Sequence, residues 1–355
     1  MNLKKIRFMT LLRDLGEQGL LARLQRFCPV DVVGDDGAIL AIAPHQSLVV
    51  TTDLLVDGVH FSDRTTQPED AGWRAAAANL SDLAAMGATP LGITVGLGLK
   101  GDVSVRWVER LYEGMTACLQ VYNIPIVGGD IVRSPVITLA ITAFGQVEAS
   151  RAIRRSAAQV GDVIVVTGFH GASRAGLELL LHPELGENLS ATQRAYLIAQ
   201  HQRPQPRLDV LPILNSISPP PLLPPSPSPP LPIAGMDSSD GLADAVLQIC
   251  RASKVGAILE HDQIPIPPAL TQCFPQQAME YALYGGEDFE LVLCLPEALA
   301  MALVLQLGSG AAMIGKIVSD LEVRLRDKTE NTDQVLTLES GFKHFQSSRG
   351  ATLAP

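Results

Sequence analysis

The stretch NLSDLAAMGATPLGITVGLGL, residues 79 to 99, passes from polar, helix-like sequence into an apolar run. The part from Leu83 to Leu99 carries no charge, so a membrane span has to be considered. It contains Pro90 and four glycines, however, which is typical of a helix end, a turn and a strand. The stretch therefore predicts these three elements in a folded domain and argues against a transmembrane helix.

The residues just before this run indicate a site beside the helix. Residues 70 to 86 have helical periodicity, and Gly87 is a typical helix end. On that helix Asn79 and Asp82 are three residues apart and share a face. Both polar groups are therefore predicted to point at one place.

Five further clusters combine acidic residues with glycine or threonine at the ends of hydrophobic stretches. They are GDDGA at 34–38, TTD at 51–53, GGD at 128–130, DSSDG at 237–241 and GGED at 285–288. Glycine turns let a phosphate approach the backbone, and carboxylates are the oxygen ligands that Mg²⁺ prefers. Because one Mg²⁺ usually takes only one or two carboxylates, so many aspartates indicate several ions in a single site assembled from many segments.

Hydrophobic periodicity predicts an α+β protein with two domains. Strands are predicted at 38–42, 48–52, 91–97, 124–127, 136–144, 163–167, 257–259, 289–295 and 313–317. Helices are predicted at 17–27, 70–86, 105–121, 173–181, 241–253 and 296–307. The predicted domains are 1–148 and 149–345, followed by a tail at 346–355.

The segment 217–233, ISPPPLLPPSPSPPLPI, is of low complexity. So many prolines cannot form a backbone hydrogen-bond ladder, so the segment is predicted to be an extended surface insertion. An insertion is tolerated because loop-closure entropy depends only weakly on loop length. Docking of a proline-binding partner is the alternative interpretation.

Composition restricts the possible functions. The formal charge is −10 and the 27 basic residues are scattered, which argues against a nucleic-acid surface. An acidic protein can bind nucleotide phosphates when divalent cations lie between the carboxylates and the phosphates. The net charge and the carboxylate clusters therefore both indicate binding through divalent cations. There is no GxxxxGK[ST] motif, so a P-loop kinase is excluded.

The cysteines and the N-terminus indicate a cytoplasmic location. The five cysteines have no CxxC spacing and are interpreted as reduced core residues. The N-terminal apolar patch is interrupted by Arg13 and Asp14, so neither a signal peptide nor a membrane anchor is predicted.

Taken in order, the six clusters resemble thiamine-monophosphate kinase, a family within the superfamily of aminoimidazole ribonucleotide synthetase and selenophosphate synthetase. The resemblance runs from Gly34 to about Phe345 and is most specific in TTDLLVDGVHF (51–61), NLSDLAAMGATP (79–90) and YGGEDFEL (284–291). It implies an aminoimidazole-ribonucleotide-synthetase-like fold with two domains. The N-terminal domain would form a β-barrel across a homodimer, and the C-terminal domain would be an α/β sandwich.

The resemblance also implies an activity. ATP would phosphorylate thiamine monophosphate to thiamine diphosphate by direct in-line transfer with Mg²⁺, the last step of thiamine diphosphate biosynthesis. Such transfer depends on positioning and charge neutralisation, and an ionised terminal phosphate needs no general base. A carboxylate and an aromatic face would suit the cationic thiazolium and flat pyrimidine of thiamine.

Site residues follow from the same resemblance, position by position. The metal ligands would be Asp36, Thr51, Thr52, Asp53, Asp82, Asp130, Asp237 and Asp240, of which Asp53, Asp130 and Asp240 would be catalytic. Nucleotide contacts would be Tyr112, Gly129, Arg155 and Ser239, and thiamine monophosphate would contact His60, Glu287 and Phe342.

Structural alternatives exist for these residues. An aspartate beside glycine is often a turn former, Asp240 could cap a helix, and His60 could close the turn after Gly58. Ser238 and Ile131 depart from the family pattern, which usually has an apolar residue and a threonine there.

Two other functions stay open. The chain could be a ribonucleotide-amide synthetase of the same superfamily or a binding protein without activity. Selenophosphate synthesis is disfavoured because no cysteine lies in a glycine-rich N-terminal segment.

Overall fold

The structure is a computed structural model that describes residues 10–29, 32–33, 37–218 and 231–337. It contains two compact units. The first consists of the described residues up to Ala41 together with Val50–Asn79 and Pro90–Phe144. The second consists of Ile42–Val49, Leu80–Thr89 and the described residues from Gly145 onward. Residues 42–49, 80–89 and 145–148 of the predicted N-terminal domain therefore belong to the second unit.

The helices and strands alternate irregularly along the chain, as in an α+β protein. The helices are α1 Leu12–Leu24, α2 Pro68–Ala85, α3 Val105–Val121, α4 Ala172–Leu181, α5 Ala191–Gln202, α6 Val210–Ile217, α7 Leu242–Ser253, α8 Pro268–Cys273, α9 Ala278–Tyr284 and α10 Glu297–Leu307. The strands are β1 Ser47–Val56, β2 Thr89–Leu99, β3 Ile126–Arg133, β4 Thr138–Val147, β5 Val163–Val166, β6 Ala234–Asp237, β7 Gly256–Glu260, β8 Leu291–Leu295, β9 Ala312–Val318, β10 Val323–Asp327 and β11 Thr332–Val335.

Most predicted elements are confirmed to within a few residues. The strand predicted at 38–42 is wrong, because those residues have no regular structure. Ile39 is 98% exposed there, so its apolar side chain does not contribute to a core. Sequence periodicity also missed α5, α6, α8, α9, β6, β10 and β11.

Four strands form a sheet in the order β1-β4-β2-β3, in which β2 and β3 are parallel. Alternate residues of β4, Leu139, Ile141 and Ala143, are buried. This alternation is typical of a sheet with one face on the core.

Helices α2 and α3 approach each other through glycine. A Cβ on Gly114 would come within 1.8 Å of the carbonyl oxygen of Glu69, and one on Gly72 within 1.9 Å of that of Leu111. Neither position has room for a side chain, so the helix backbones are in direct contact. The ion pair between Arg110 and Glu69, at 2.5 Å, lies beside this contact.

Seven strands form the sheet of the second unit, in the order β11-β10-β7-β9-β5-β8-β6. All residues of β5, β6 and β8 are buried, including those of β6 at the edge of the sheet. Helix α7 adds Leu242, Val246 and Ile249 to the same core. This core holds the end of β6, where the DSSDG cluster begins.

The C-terminal end of the proline-rich segment is buried. Residues 219–230 lie outside the described residues. Ile233 is 1% exposed, and the backbone N–H of Leu231 donates to the carbonyl of Ser150 at 2.9 Å. The predicted surface segment 217–233 is therefore wrong at its C-terminal end, because these apolar side chains pack into the second unit.

All five cysteines are free thiols, and Cys118, Cys250 and Cys294 are buried. Burial raises the pKa of each of these three thiols. Among the residues that the structure describes, no helix is both long and apolar enough to cross a membrane.

We predict that Gly114→Ala destabilises the protein by about 2 kcal/mol or more, because the new methyl group must separate α2 from α3. The measurement is the free energy of unfolding in denaturant. Gly101→Ala is the control, since a Cβ there has only an ordinary contact with Arg13 at 3.6 Å. Equal stability of the two variants would contradict the prediction.

Candidate functional site

Asp53 lies inside strand β1 and not at its end as predicted. Its backbone N–H donates to Oδ1 of Asn79 at 3.1 Å, while Nδ2 of Asn79 donates to the carbonyl of Ala75 at 3.0 Å. Asn79 is fully buried, so its amide needs both partners. The function of this asparagine is therefore to attach the strand at Asp53 to helix α2.

Thr51, Thr52 and Asp53 cannot all direct their side chains to one point, because successive side chains of a strand alternate between its faces. The hydroxyls of Thr52 and Thr142 lie 2.8 Å apart on one face of the sheet. Thr51 and Asp53 are on the other face. If all three bind metal, Thr52 would have to do so through its backbone carbonyl. The three metal assignments stay predictions.

The GGD cluster lies within β3 and not in a turn. Gly129 is paired with Val95, and a Cβ on it would come within 2.2 Å of the Val95 carbonyl oxygen. Strand pairing alone thus requires glycine at this position, independently of any phosphate. Asp130 is exposed and paired with Gly96, so its carboxylate is accessible on the sheet.

His60 closes the turn after β1. Its Nδ1 accepts from the backbone N–H of Val56 at 3.1 Å, and Gly58 in the turn has a φ of +81°. A ring whose Nδ1 accepts carries its proton on Nε2, so a neutral His60 presents a donor at Nε2. The structural interpretation of His60 is confirmed, and contact with substrate stays a prediction that this donor supports.

Tyr112 is buried in α3, with its ring centroid 5.4 Å from that of Phe27. Burial raises the pKa of its hydroxyl. A nucleotide contact at Tyr112 stays a prediction.

Asp237 is buried at the end of β6, and both of its carboxylate oxygens accept hydrogen bonds. Ser81 donates to Oδ2 at 2.7 Å, and Ser239 donates to Oδ1 at 3.1 Å. Sequence reasoning missed Ser81, although it stands between Asn79 and Asp82 in a motif already singled out. The NLSDLAAMG and DSSDG clusters therefore meet in the second unit.

Asp240 does not cap helix α7. The N-cap of α7 is Gly241, which has a φ of +108° and no side-chain hydrogen bond. Its Cβ would lie 3.0 Å from the carbonyl oxygen of Leu283. The capping alternative for Asp240 is therefore wrong, and ligation by Asp240 and by Asp82 stays a prediction.

Ser238, one of the departures from the family pattern, is fully buried and paired with a histidine. Its hydroxyl lies 3.2 Å from Nε2 of His170, whose Nδ1 lies 3.2 Å from the carbonyl of Gly168. Burial lowers the pKa of His170 to about 4, so the ring is neutral at pH 7. The serine hydroxyl thus has a polar partner, which explains how it is tolerated there.

Arg155 is exposed, and its Nη1 donates to Oε1 of Gln248 at 2.7 Å. The contact with Gln248 does not test whether Arg155 binds the nucleotide, so that role stays a prediction. Asp36 and Phe342 lie outside the described residues. Within the described ranges, no three His, Cys, Asp or Glu side chains form a group that could hold a metal ion.

The GGED loop packs directly on the backbone of Ser239. The N–H of Glu287 donates to the Ser239 carbonyl at 2.7 Å, and a Cβ on Gly286 would come within 2.6 Å of that oxygen. Glycine is therefore required at 286 by this approach. Three of the six clusters, those at 79–87, 237–241 and 285–288, meet within the second unit.

Asp288 holds the other side of the loop. Its carboxylate accepts from the N–H groups of Gly171 and Ser173, at 2.6 and 2.9 Å, at the start of α4. Burial raises the pKa of this carboxyl to about 7, although the two N–H donors oppose that shift. Asp288 is thus a helix cap supplied from a distant part of the chain.

Comparisons with known proteins cover nearly all of the chain. Residues 34–147 and 159–328 match the family models "AIR synthase related protein, N-terminal domain" and "AIR synthase related protein, C-terminal domain". The chain is 53% identical to the thiamine-monophosphate kinase of Synechococcus elongatus over 337 residues, 94% of this chain and 98% of that protein.

Two solved structures are similar in fold. The thiamine-monophosphate kinase of Stenotrophomonas maltophilia K279a superposes with a TM-score of 0.73 at 32% identity, covering 86% of this chain and 95% of that one. AaThiL complexed with AMPPCP and TMP superposes with a TM-score of 0.68 at 31% identity, covering 90% and 96%.

We predict that Asp288→Asn removes a pH dependence of stability. Between the usual pKa of 3.8 and the raised value of about 7, the folded protein holds a proton that the unfolded chain releases. The stability from this group is complete at low pH and is lost as the pH rises to 7. The melting temperature of the wild type should therefore fall by a few degrees relative to the variant between pH 5 and 8.

The control is Asp262→Asn, at an exposed position, whose melting temperature should parallel that of the wild type. Parallel curves for Asp288→Asn as well would contradict the assignment.

Proposed function

The chain belongs to the thiamine-monophosphate kinase family of AIR synthase related proteins, and we propose that it transfers the γ-phosphoryl group of ATP to thiamine monophosphate. The products would be ADP and thiamine diphosphate. Two comparisons support this: the 53% identity to a thiamine-monophosphate kinase, and the fold shared with AaThiL, which was complexed with AMPPCP and TMP.

The observation that carries the proposal is the meeting of three clusters around Ser239. Asp237 accepts from Ser81 and Ser239, and Glu287 donates its N–H to the Ser239 carbonyl. The turn at Ser239 therefore holds both Asp237, which is assigned to metal binding, and Glu287, which is assigned to acceptor binding. Phosphoryl transfer between two anions requires this kind of fixed relative placement.

We propose that the enzyme uses Mg²⁺. The donors assigned to the ions carry oxygen, from carboxylates and threonines, which fits a hard cation. When bound, Mg²⁺ would neutralise charge on the β- and γ-phosphates.

The residues of the chain would have separate tasks. Asp53, Asp130 and Asp240 would hold the cations that bind the phosphates, and Arg155 and Ser239 would contact the nucleotide. Glu287 would pair with the thiazolium, and the Nε2–H of His60 would donate to the acceptor. The acceptor phosphate would attack in line, and since it is already ionised it needs no base.

We propose a homodimer that forms through the open face of the four-stranded sheet. Val50 and Leu54 on β1 are 52% and 53% exposed and lie on the same face as Thr52. Exposed apolar residues on a sheet are typical of an interaction surface. A second copy of the sheet packed there would complete the barrel that the family resemblance implies. The five free thiols favour the reducing cytoplasm as the location.

The activity is tested by incubating the protein with Mg-ATP and thiamine monophosphate and identifying the products by mass. Thiamine diphosphate and ADP are expected in equal amounts, and thiamine in place of its monophosphate should yield no product. Absence of thiamine diphosphate would refute the proposal.

Asp53→Asn and Asp130→Asn should each lower kcat by roughly 100-fold or more, because each removes a negative charge from a proposed ligand without changing its shape. The measurement is steady-state turnover at saturating Mg-ATP, with thermal unfolding to confirm the fold. Asp102→Asn is the control, since Asp102 is exposed in a turn. Turnover close to that of the control would remove the tested aspartate from the site.

Leu54→Lys should shift the protein from dimer to monomer, because a charge cannot be buried in the proposed interface without a partner. Light scattering after gel filtration measures the mass. Leu305→Lys is the control, at an 83% exposed position on α10. A monomeric wild type, or equal masses for both variants, would contradict the proposed interface.

A further inference from the structure

The loop 285–290 is held in a strained backbone conformation. Glu287 and Phe289 have φ values of +68° and +52°, and they are two of the six non-glycine residues with positive φ in the described part of the chain. Each such residue costs about 1 to 3 kcal/mol, and the conformation persists only where surrounding contacts offset that cost. Contacts outside the loop must therefore hold it in place.

The first such contact comes from helix α5. Nδ1 of the buried His201 lies 3.8 Å from Oε2 of Glu287 and 3.2 Å from Oγ of Ser173. The position of His201 is itself fixed, because α5 and α4 touch through Gly176. A Cβ on Gly176 would come within 2.1 Å of the Leu197 carbonyl oxygen and 3.0 Å of Cβ of His201.

The second contact is at the other end of the loop. Nη1 of Arg207 donates to Oε2 of Glu290 and, at 2.6 Å, to the carbonyl of Thr167. The hydroxyl of Thr167 also donates to Oε2 of Glu290. A Cβ on Gly168 would come within 2.3 Å of Oε1 of Glu290, so the carboxylate occupies the space that a side chain would need.

The two contacts come from one short segment. His201 and Arg207 are the ends of the sequence HQRPQPR, in which Pro204 and Pro206 are buried. Because proline fixes φ near −65°, the two prolines restrict the conformations of this segment.

We propose that His201 and Arg207 are positioning residues, and that the segment between them holds the loop 285–290 at Glu287 and at Glu290 so that the Glu287 carboxylate faces the acceptor. The inference rests on the proposed function, in which Glu287 binds the thiazolium of thiamine monophosphate. Neither residue is among those assigned to the phosphates or to the ions. Loss of either contact would let the carboxylate turn away, which weakens acceptor binding and leaves the nucleotide contacts intact.

The test compares substitutions that keep or remove a polar nitrogen at the position of Nδ1. His201→Leu should raise the KM for thiamine monophosphate about tenfold, because the Glu287 carboxylate loses the polar group beside it. The KM for ATP should stay within about twofold, because the change is confined to the acceptor side. His201→Asn should restore the wild-type KM, because the amide nitrogen of asparagine takes the place of Nδ1. His201→Gln should not restore it, because the amide nitrogen of glutamine takes the place of Nε2.

Arg207 is tested in the same way. Arg207→Met should raise the KM for thiamine monophosphate, and Arg207→Lys should recover part of the loss because it keeps the charge but not the forked geometry. His182→Leu is the control, since His182 and Glu184 form an exposed pair 3.6 Å apart and lie in the same unit. It should leave both KM values unchanged.

A double-mutant cycle separates the two possible failures. If the wild type does not phosphorylate thiamine monophosphate, the proposed function fails. The inference is overturned if the wild type is active and His201→Leu has the same effect on KM in a Glu287→Gln background. Residues 201 and 287 would then act independently. Equal KM values for the Asn and Gln variants, which are both polar and close in size to histidine, would also overturn it.

Discussion

One backbone oxygen organises the candidate site of the second unit. The carbonyl of Ser239 accepts the N–H of Glu287 at 2.7 Å, and it leaves no room for a Cβ on Gly286. This contact joins two turns that are far apart in sequence, and each turn carries a carboxylate assigned to a substrate or an ion. The close contact between the backbones of these two turns is maintained by three features. They are the positive φ of Glu287, the cap that Asp288 supplies to α4, and the two contacts of the segment 201–207.

The carboxylates of the chain are held by two kinds of partner. Asp237, which is assigned to metal binding, accepts hydrogen bonds from the hydroxyls of Ser81 and Ser239. These neutral donors do not neutralise the negative charge of the carboxylate. Asp57 and Glu290, in contrast, pair with Lys100 and Arg207. Hydroxyl donors orient a carboxylate and leave its charge for a cation, whereas an arginine partner neutralises it. The formal charge of −10 agrees with the proposed binding of phosphate through divalent ions.

Local sequence predicted the elements whose apolar residues repeat over many residues. Helix α3 was predicted with its observed bounds, because one of its faces is continuously apolar. The apolar run at 38–42 was misjudged as a strand, since periodicity cannot show whether a partner strand is present. Helix α5 was missed because few of its side chains are buried and its packing depends on the glycine at 176 of another helix.

For the site, the sequence by itself determined which chemical groups are available: oxygen-bearing side chains in six clusters, with glycines among them. It also indicated the family, which the comparisons confirmed. Only the tertiary structure decided which residues orient those groups. Ser81, Asn79, His201 and Arg207 act through partners that are 26 to 156 positions away in sequence. A hydrogen bond of about 3 Å depends on how separate segments pack, and no local pattern of residues encodes that distance.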